Sequence, residues 1–153
     1  MKVTGRKFRK STGVLLALLM IAASGCAENK QSEEAHVKAD KAVQAISSVE
    51  EFDNAISAAK DTLVMVDLYA DWCAPCRQLA PTLEVIASEK RDQVKTYKVN
   101  VDNLRALAVR YNVTGIPYVV FIKNGKFITS LTGLRNKAAY VSVIDQYSPK
   151  PEN

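Results

Sequence analysis

Two thiols and one isolated carboxyl group are the side chains of this sequence best suited to chemistry. Trp72-Cys73-Ala74-Pro75-Cys76 sets two cysteines three positions apart, at the junction between an apolar run and a long helical segment. Free backbone N–H groups and the positive dipole end at a helix start stabilise a thiolate and lower its pKa below the free value of about 8.5. Cys73 is therefore expected to be the attacking nucleophile. Cys76 falls in register with Leu79, Leu83 and Ile86, a stripe that must face the interior, and is expected to be the shielded, resolving thiol. Attack by Cys73 on a disulfide gives a mixed disulfide, which Cys76 breaks because it is held beside the bond. Pro75 falls in the first helical turn, where its missing N–H costs nothing and its fixed φ stiffens the pair.

Asp67 stands in the middle of LVMVDLYA, where every neighbour is apolar. If it is buried, its pKa is raised and it can accept a proton from Cys76 during the second step. A strand-end aspartate with access to solvent fits the same residues. Gly115-Ile116-Pro117 interrupts the pattern just before another apolar run. A zinc site is not expected. Zinc takes four N or S ligands, and Cys73 and Cys76 have no third cysteine and no histidine nearer than His36 to complete the set.

The elements that must position these groups alternate between strand and helix from about Val43 onward. Ser47 or Ser48 caps a helix containing Glu50, Glu51, Phe52 and Ile56, with acidic residues in its first turn. Leu63 to Tyr69 is the nearly continuous apolar run of a central strand buried on both faces, and a helix follows from about Cys73 to Glu89. Val94 to Val101 and Tyr118 to Lys123 read as strands, with a helix from about Leu104 to Tyr111 between them. Asn124-Gly125 signals a hairpin into Phe127 to Leu131, and Asn136 caps a last amphipathic helix.

The chain has 153 residues, a formal charge of +5 and 48% apolar residues, which bounds it to one ordinary domain with an extension. The charge is localised. Lys2, Arg6, Lys7, Arg9 and Lys10 lie in the first 25 residues, which hold no acid, and beyond them sixteen basic residues balance sixteen acidic ones. No electrostatic case for nucleic acid remains. The five charges precede ten apolar residues, Val14 to Ala23, which as a helix span about 15 Å, half a bilayer core, as in a secretory signal rather than an anchor. Ala23-Ser24-Gly25-Cys26 resembles the lipobox of bacterial lipoproteins, whose cysteine is acylated and becomes the first residue after cleavage; Ala23 stands where Leu is most frequent. Lipidation of Cys26 also accounts for the odd cysteine of three. Residues 27 to about 42 are polar and mixed in charge, a solvated tether in which His36 has no metal-binding neighbour. The expected division is a signal peptide at 1–25, the lipidated cysteine and tether at 26–47, the domain at 48–148 and a tail at 149–153.

From about residue 48 to 147 the sequence resembles a thioredoxin domain. Trp72-Cys73-Ala74-Pro75-Cys76 is similar to the WCGPC active site, and Asp67 stands six residues before Cys73 as the family's buried acid does. Pro81 matches the proline that kinks the active-site helix, Lys98 the lysine beside the buried acid, and Gly115-Ile116-Pro117 the loop whose proline is cis. Gly125 and Gly133 fall at the family's late glycines. The resemblance implies a thioredoxin fold, an α/β architecture with a central mixed sheet flanked by helices. It also implies Asp67 as proton carrier with Lys98 as its electrostatic partner, and a substrate groove built from Trp72, Ala74, Pro75, Ile116, cis Pro117 and Tyr118. Departures are Ala74 for the usual Gly, Tyr69 where Trp is common, Arg77 for Lys, and Tyr118 where Thr is common. Tyr118 either narrows the groove or packs.

These readings lead to a monomeric, membrane-tethered, extracytoplasmic thiol–disulfide oxidoreductase that reduces disulfides of exported proteins. It would face the periplasm or equivalent space, draw electrons from a membrane thiol donor, and need no cofactor and no metal. An oxidant or isomerase of exported proteins, and a non-catalytic lipoprotein interaction or holdase module, are the alternatives.

Overall fold

The computed structural model describes residues 41–148. The expected signal peptide, Cys26, most of the expected tether with His36, and residues 149–153 lie outside the described residues.

The domain is ordered by its most apolar strand. β2 (Leu63–Tyr69) is buried along nearly its whole length and sits in the centre of a five-stranded sheet of order β1-β3-β2-β4-β5. β1 (Val43–Ile46) and β2 run parallel to β3 (Val94–Asn100) on either side of it. β4 (Tyr118–Lys123) and β5 (Lys126–Thr132) complete the sheet antiparallel. The β4–β5 hairpin turns on Asn124 and Gly125, both at positive φ, 52° and 71°, the pairing that a two-residue turn needs to follow strand twist.

Alternation along β2 divides the core in two. Leu63 and Met65 face α2 (Ala74–Glu89) and α4 (Lys137–Tyr147), packing with Leu79, Leu83, Ile86, Tyr140 and Ile144. Val64, Val66 and Leu68 face α1 (Val49–Ala59) and α3 (Arg105–Arg110), packing with Phe52 and Leu107. By the same parity Asp67 belongs to the α2 and α4 side. Ser48 caps α1 by accepting the Glu51 N–H at 3.0 Å, while the Glu51 carboxylate accepts the Ser47 N–H at 2.7 Å. Asn136 caps α4 through the Ala139 N–H. Pro81 lies inside α2, where it supplies no N–H to the turn before it.

The sheet starts earlier than the division at residue 48 allowed. Val43 to Ile46, within the 26–47 division and given no strand from sequence although the alternation of elements is expected to begin near Val43, pair with Thr96 to Val99, and Val43 and Ile46 are buried on opposite core layers. Four residues with a polar Gln44 between them carry too little alternation to stand out as a strand.

Candidate active site

Cys73 and Cys76 are joined as a disulfide at the start of α2. The junction is tight because Ala70, directly after β2, accepts the Cys73 N–H at 3.1 Å. Cys73 is the N-cap of the helix: its Sγ accepts the Cys76 N–H at 3.2 Å. Pro75 sits in the first turn without a donor of its own, so the Cys76 N–H is directed at the first sulfur. A positive helix end and an aligned N–H there stabilise negative charge on Cys73 when the bond opens.

Exposure does not distinguish the two cysteines. Cys73 is 3% and Cys76 2% accessible, and the pair is enclosed with Ala70 by Tyr69, Val101 and Ile116. The sequence separates a shielded Cys76 from an attacking Cys73; the structure instead separates them by the cap, since only Cys73 receives a helix N–H. The cover comes from the loop before β4, where the Ile116–Pro117 peptide is cis and Ile116 lies against the sulfur cluster.

Asp67 is 4% exposed, so of the two readings left open by the sequence the buried one holds. Its Oδ1 accepts no hydrogen bond among the described residues. Burial pushes its pKa up from 3.8 to about 7, with Lys98 pulling in the opposite direction. Asp67 and Cys76 belong to the same layer by topology: strand alternation puts the carboxyl on the sheet face that α2 covers, and Cys76 lies on the buried stripe of α2 with Leu79 and Leu83. Lys98 is the in-register neighbour of Asp67 on β3.

Around the disulfide, Trp72 stands out into solvent, 69% exposed, yet is held by three polar residues that the sequence did not single out. Its Nε1 donates to Asp102 Oδ2 at 2.9 Å, Asn100 Oδ1 accepts the Asp102 N–H at 2.9 Å, and Asn100 Nδ2 donates to Asp71 Oδ2 at 3.0 Å. Arg77 Nη1 donates to the Asp71 carbonyl at 2.7 Å. The chain of bonds ties the β2–α2 junction to the segment after β3. Only the structure pairs them, because about thirty residues separate the partners. Ala74 and Pro75 form the first turn beside this clamp. Tyr118 packs rather than standing free: it joins the cluster under α1 and α3, and its hydroxyl accepts from Ser130 Oγ at 2.9 Å.

A mixed sheet with a Cys-X-X-Cys disulfide at the N-terminus of α2, the longest helix among the described residues, closed over by a cis-proline loop, defines a protein of the thioredoxin fold built around a redox-capable sulfur pair. The thioredoxin family model matches residues 43–146, and the chain belongs to that family. It is 41% identical over 91 residues to Thioredoxin-T of Drosophila melanogaster, covering 60% of this chain and 58% of that one. To the thioredoxin of Chlamydia caviae it is 37% identical over 101 residues, 66% of this chain and 95% of the relative. The solved structure of a mutant thioredoxin from Halobacterium salinarum superposes with a TM-score of 0.65 at 30% identity, covering 73% of this chain and 96% of that one. The chain spans about half the length of several curated relatives it matches, between 46% and 58%.

Proposed function

We propose that this protein is a thiol–disulfide oxidoreductase that reduces disulfides in exported proteins and is held at a bacterial membrane, on its extracytoplasmic face, by acylation of Cys26. The observation that carries the redox reading is the capping of α2 by Cys73, with the Cys76 N–H aimed at its sulfur. In the reduced protein the Cys73 thiolate attacks a substrate disulfide, forming a mixed disulfide and releasing one substrate thiolate. The Asp67 carboxylate takes the Cys76 proton. Cys76 then attacks the Cys73 sulfur and releases the second substrate thiolate. Two electrons pass to the substrate and the Cys73–Cys76 disulfide is left, to be reduced again by a dithiol donor at the membrane. The exposed Trp72 and the backbone around Ile116 frame the approach.

The direction of electron flow rests on the Pro75-containing dipeptide and the buried Asp67, and the location on the Lys2-to-Cys26 leader. A Cys76→Ala variant is expected to accumulate mixed disulfides with exported proteins, whereas Cys73→Ala accumulates none. A Cys73/Cys76 potential close to about −120 mV, the range of strong oxidants, overturns the reductant reading. Incorporation of labelled fatty acid that disappears in Cys26→Ala tests the anchor separately.

A further inference from the structure

At the end of the sheet away from the disulfide, β1 stops short of its neighbour. Its pairing with β3 begins at Val43 and Thr96, so Val94 and Lys95 have no strand partner on that side among the described residues. At this edge a recess of about 390 Å³ lies between the start of β1, the start of β3 and the last turns of α2. Three cations line it, Lys41, Arg91 and Lys95, together with the hydroxyl residues Ser88 and Thr96, and no acid is among the lining residues. None of the three cations forms an ion pair among the described residues. The nearby Glu84 carboxylate accepts the Val43 N–H at 3.3 Å. Thr96 is 4% exposed, and its buried hydroxyl has no hydrogen-bond partner among the described residues, a state that buried polar groups seldom occupy without a ligand or solvent to complete it.

We propose that this recess is a binding site for a phosphate-bearing anion. A concave lining of one charge sign concentrates counter-charge, and a guanidinium with lysines and hydroxyls beside it supplies the charge-assisted donors that phosphate oxygens accept. The volume lies within the range of about 300–1,000 Å³ usual for small-ligand sites, so the organic part of a phosphate ester fits beside its charged group. The described chain begins at this recess with Lys41, fifteen residues beyond Cys26. An anionic phospholipid headgroup is therefore one source of the phosphate and free phosphate the other. The lipid source rests on the membrane reading above; the anion site itself depends on neither the anchor nor the redox chemistry.

The test is acylation footprinting of lysine amines on the full chain, with Lys60 and Lys126 as controls outside the recess. Inorganic phosphate is compared with chloride at equal ionic strength, and phosphatidylglycerol vesicles with phosphatidylcholine vesicles. Selective slowing at Lys41 and Lys95 of roughly threefold or more at saturating ligand is the expected result, reduced in Arg91→Ala and in the near-isosteric Thr96→Val. Slowing by phosphate alone assigns the site to free phosphate; slowing by phosphatidylglycerol but not phosphatidylcholine assigns it to a headgroup. No slowing with either probe, equal slowing at Lys60 and Lys126, or full protection retained in Arg91→Ala overturns the proposal, and none of these outcomes bears on mixed-disulfide trapping by Cys76→Ala.

Discussion

Asp67 and Lys98 lie side by side in register on β2 and β3, yet they form no ion pair: the Lys98 ammonium sits 5.8 Å from the centroid of the Tyr69 ring. The carboxyl is left buried with an oxygen unpaired among the described residues, and this arrangement, more than any contact, sets its chemistry. Lys98 lowers the proton affinity of Asp67 from a distance while burial raises it, and burial dominates.

The first consequence concerns stability. Between the ordinary value of 3.8 and the native value of about 7, the folded protein keeps a proton that the unfolded chain has released. Stability therefore falls as pH rises through that window and levels off above it. Asp67→Asn removes the ionisation and is expected to be more stable than the parent above pH 8 by up to roughly 4 kcal/mol, with little difference near pH 4. Denaturant titrations of the oxidised proteins at both pH values check it; equal stability at pH 8 contradicts a buried, proton-retaining Asp67.

The second concerns rate. If Asp67 accepts the Cys76 proton, resolution of a mixed disulfide accelerates as pH rises through about 7. Asp67→Asn is expected to flatten that inflection. Lys98→Met, which withdraws the one charge favouring the carboxylate, moves it to higher pH. Single-turnover kinetics with a model disulfide measure both, and an unmoved profile in Lys98→Met removes Lys98 from the electrostatics.

Trp72 is the only tryptophan in the chain, so its tether to Asp102 has a private optical reporter. Asp102→Ala releases the indole N–H and is expected to lower the fluorescence anisotropy of Trp72. The exposed setting keeps the stability change within about 0.5 kcal/mol. Unchanged anisotropy shows that packing alone fixes the ring.

A chain beginning at residue 48 lacks β1 and with it Val43 and Ile46, both buried. Burying two such side chains is worth roughly 3–6 kcal/mol, so this shortened domain is expected to unfold several kcal/mol more easily than one beginning at residue 41. Matching stabilities would return Val43 to Ile46 to the tether.

Much of this domain is legible because its signals are local. Leu63 to Tyr69 is apolar enough to mark the central strand, Asn124-Gly125 marks the hairpin, and the position of Cys73 before Ala74-Pro75 marks a helix start. The buried state of Asp67 was one of two readings, since a run of apolar neighbours shows that a carboxyl is surrounded in sequence, not in space. What stayed hidden depends on distant partners. β1 is short and patterned by its contact with β3, the loop carrying Ile116, some forty residues from the sulfurs it covers, is placed there by the family resemblance and not by any local pattern, and the Asp102–Asn100–Asp71 bonds join segments that no periodicity connects.

The near-complete enclosure of both sulfurs turns access into selection. On the proposed function, a disulfide on an extended, pliable segment reaches the pair past Tyr69, Val101 and Ile116 more readily than one embedded in a rigid surface. On the same reading, partners are then ranked less by the strength of their sulfur–sulfur bond than by how cheaply the segment around it peels away from its own fold, and misassembled or still-unfolded chains are served before finished ones.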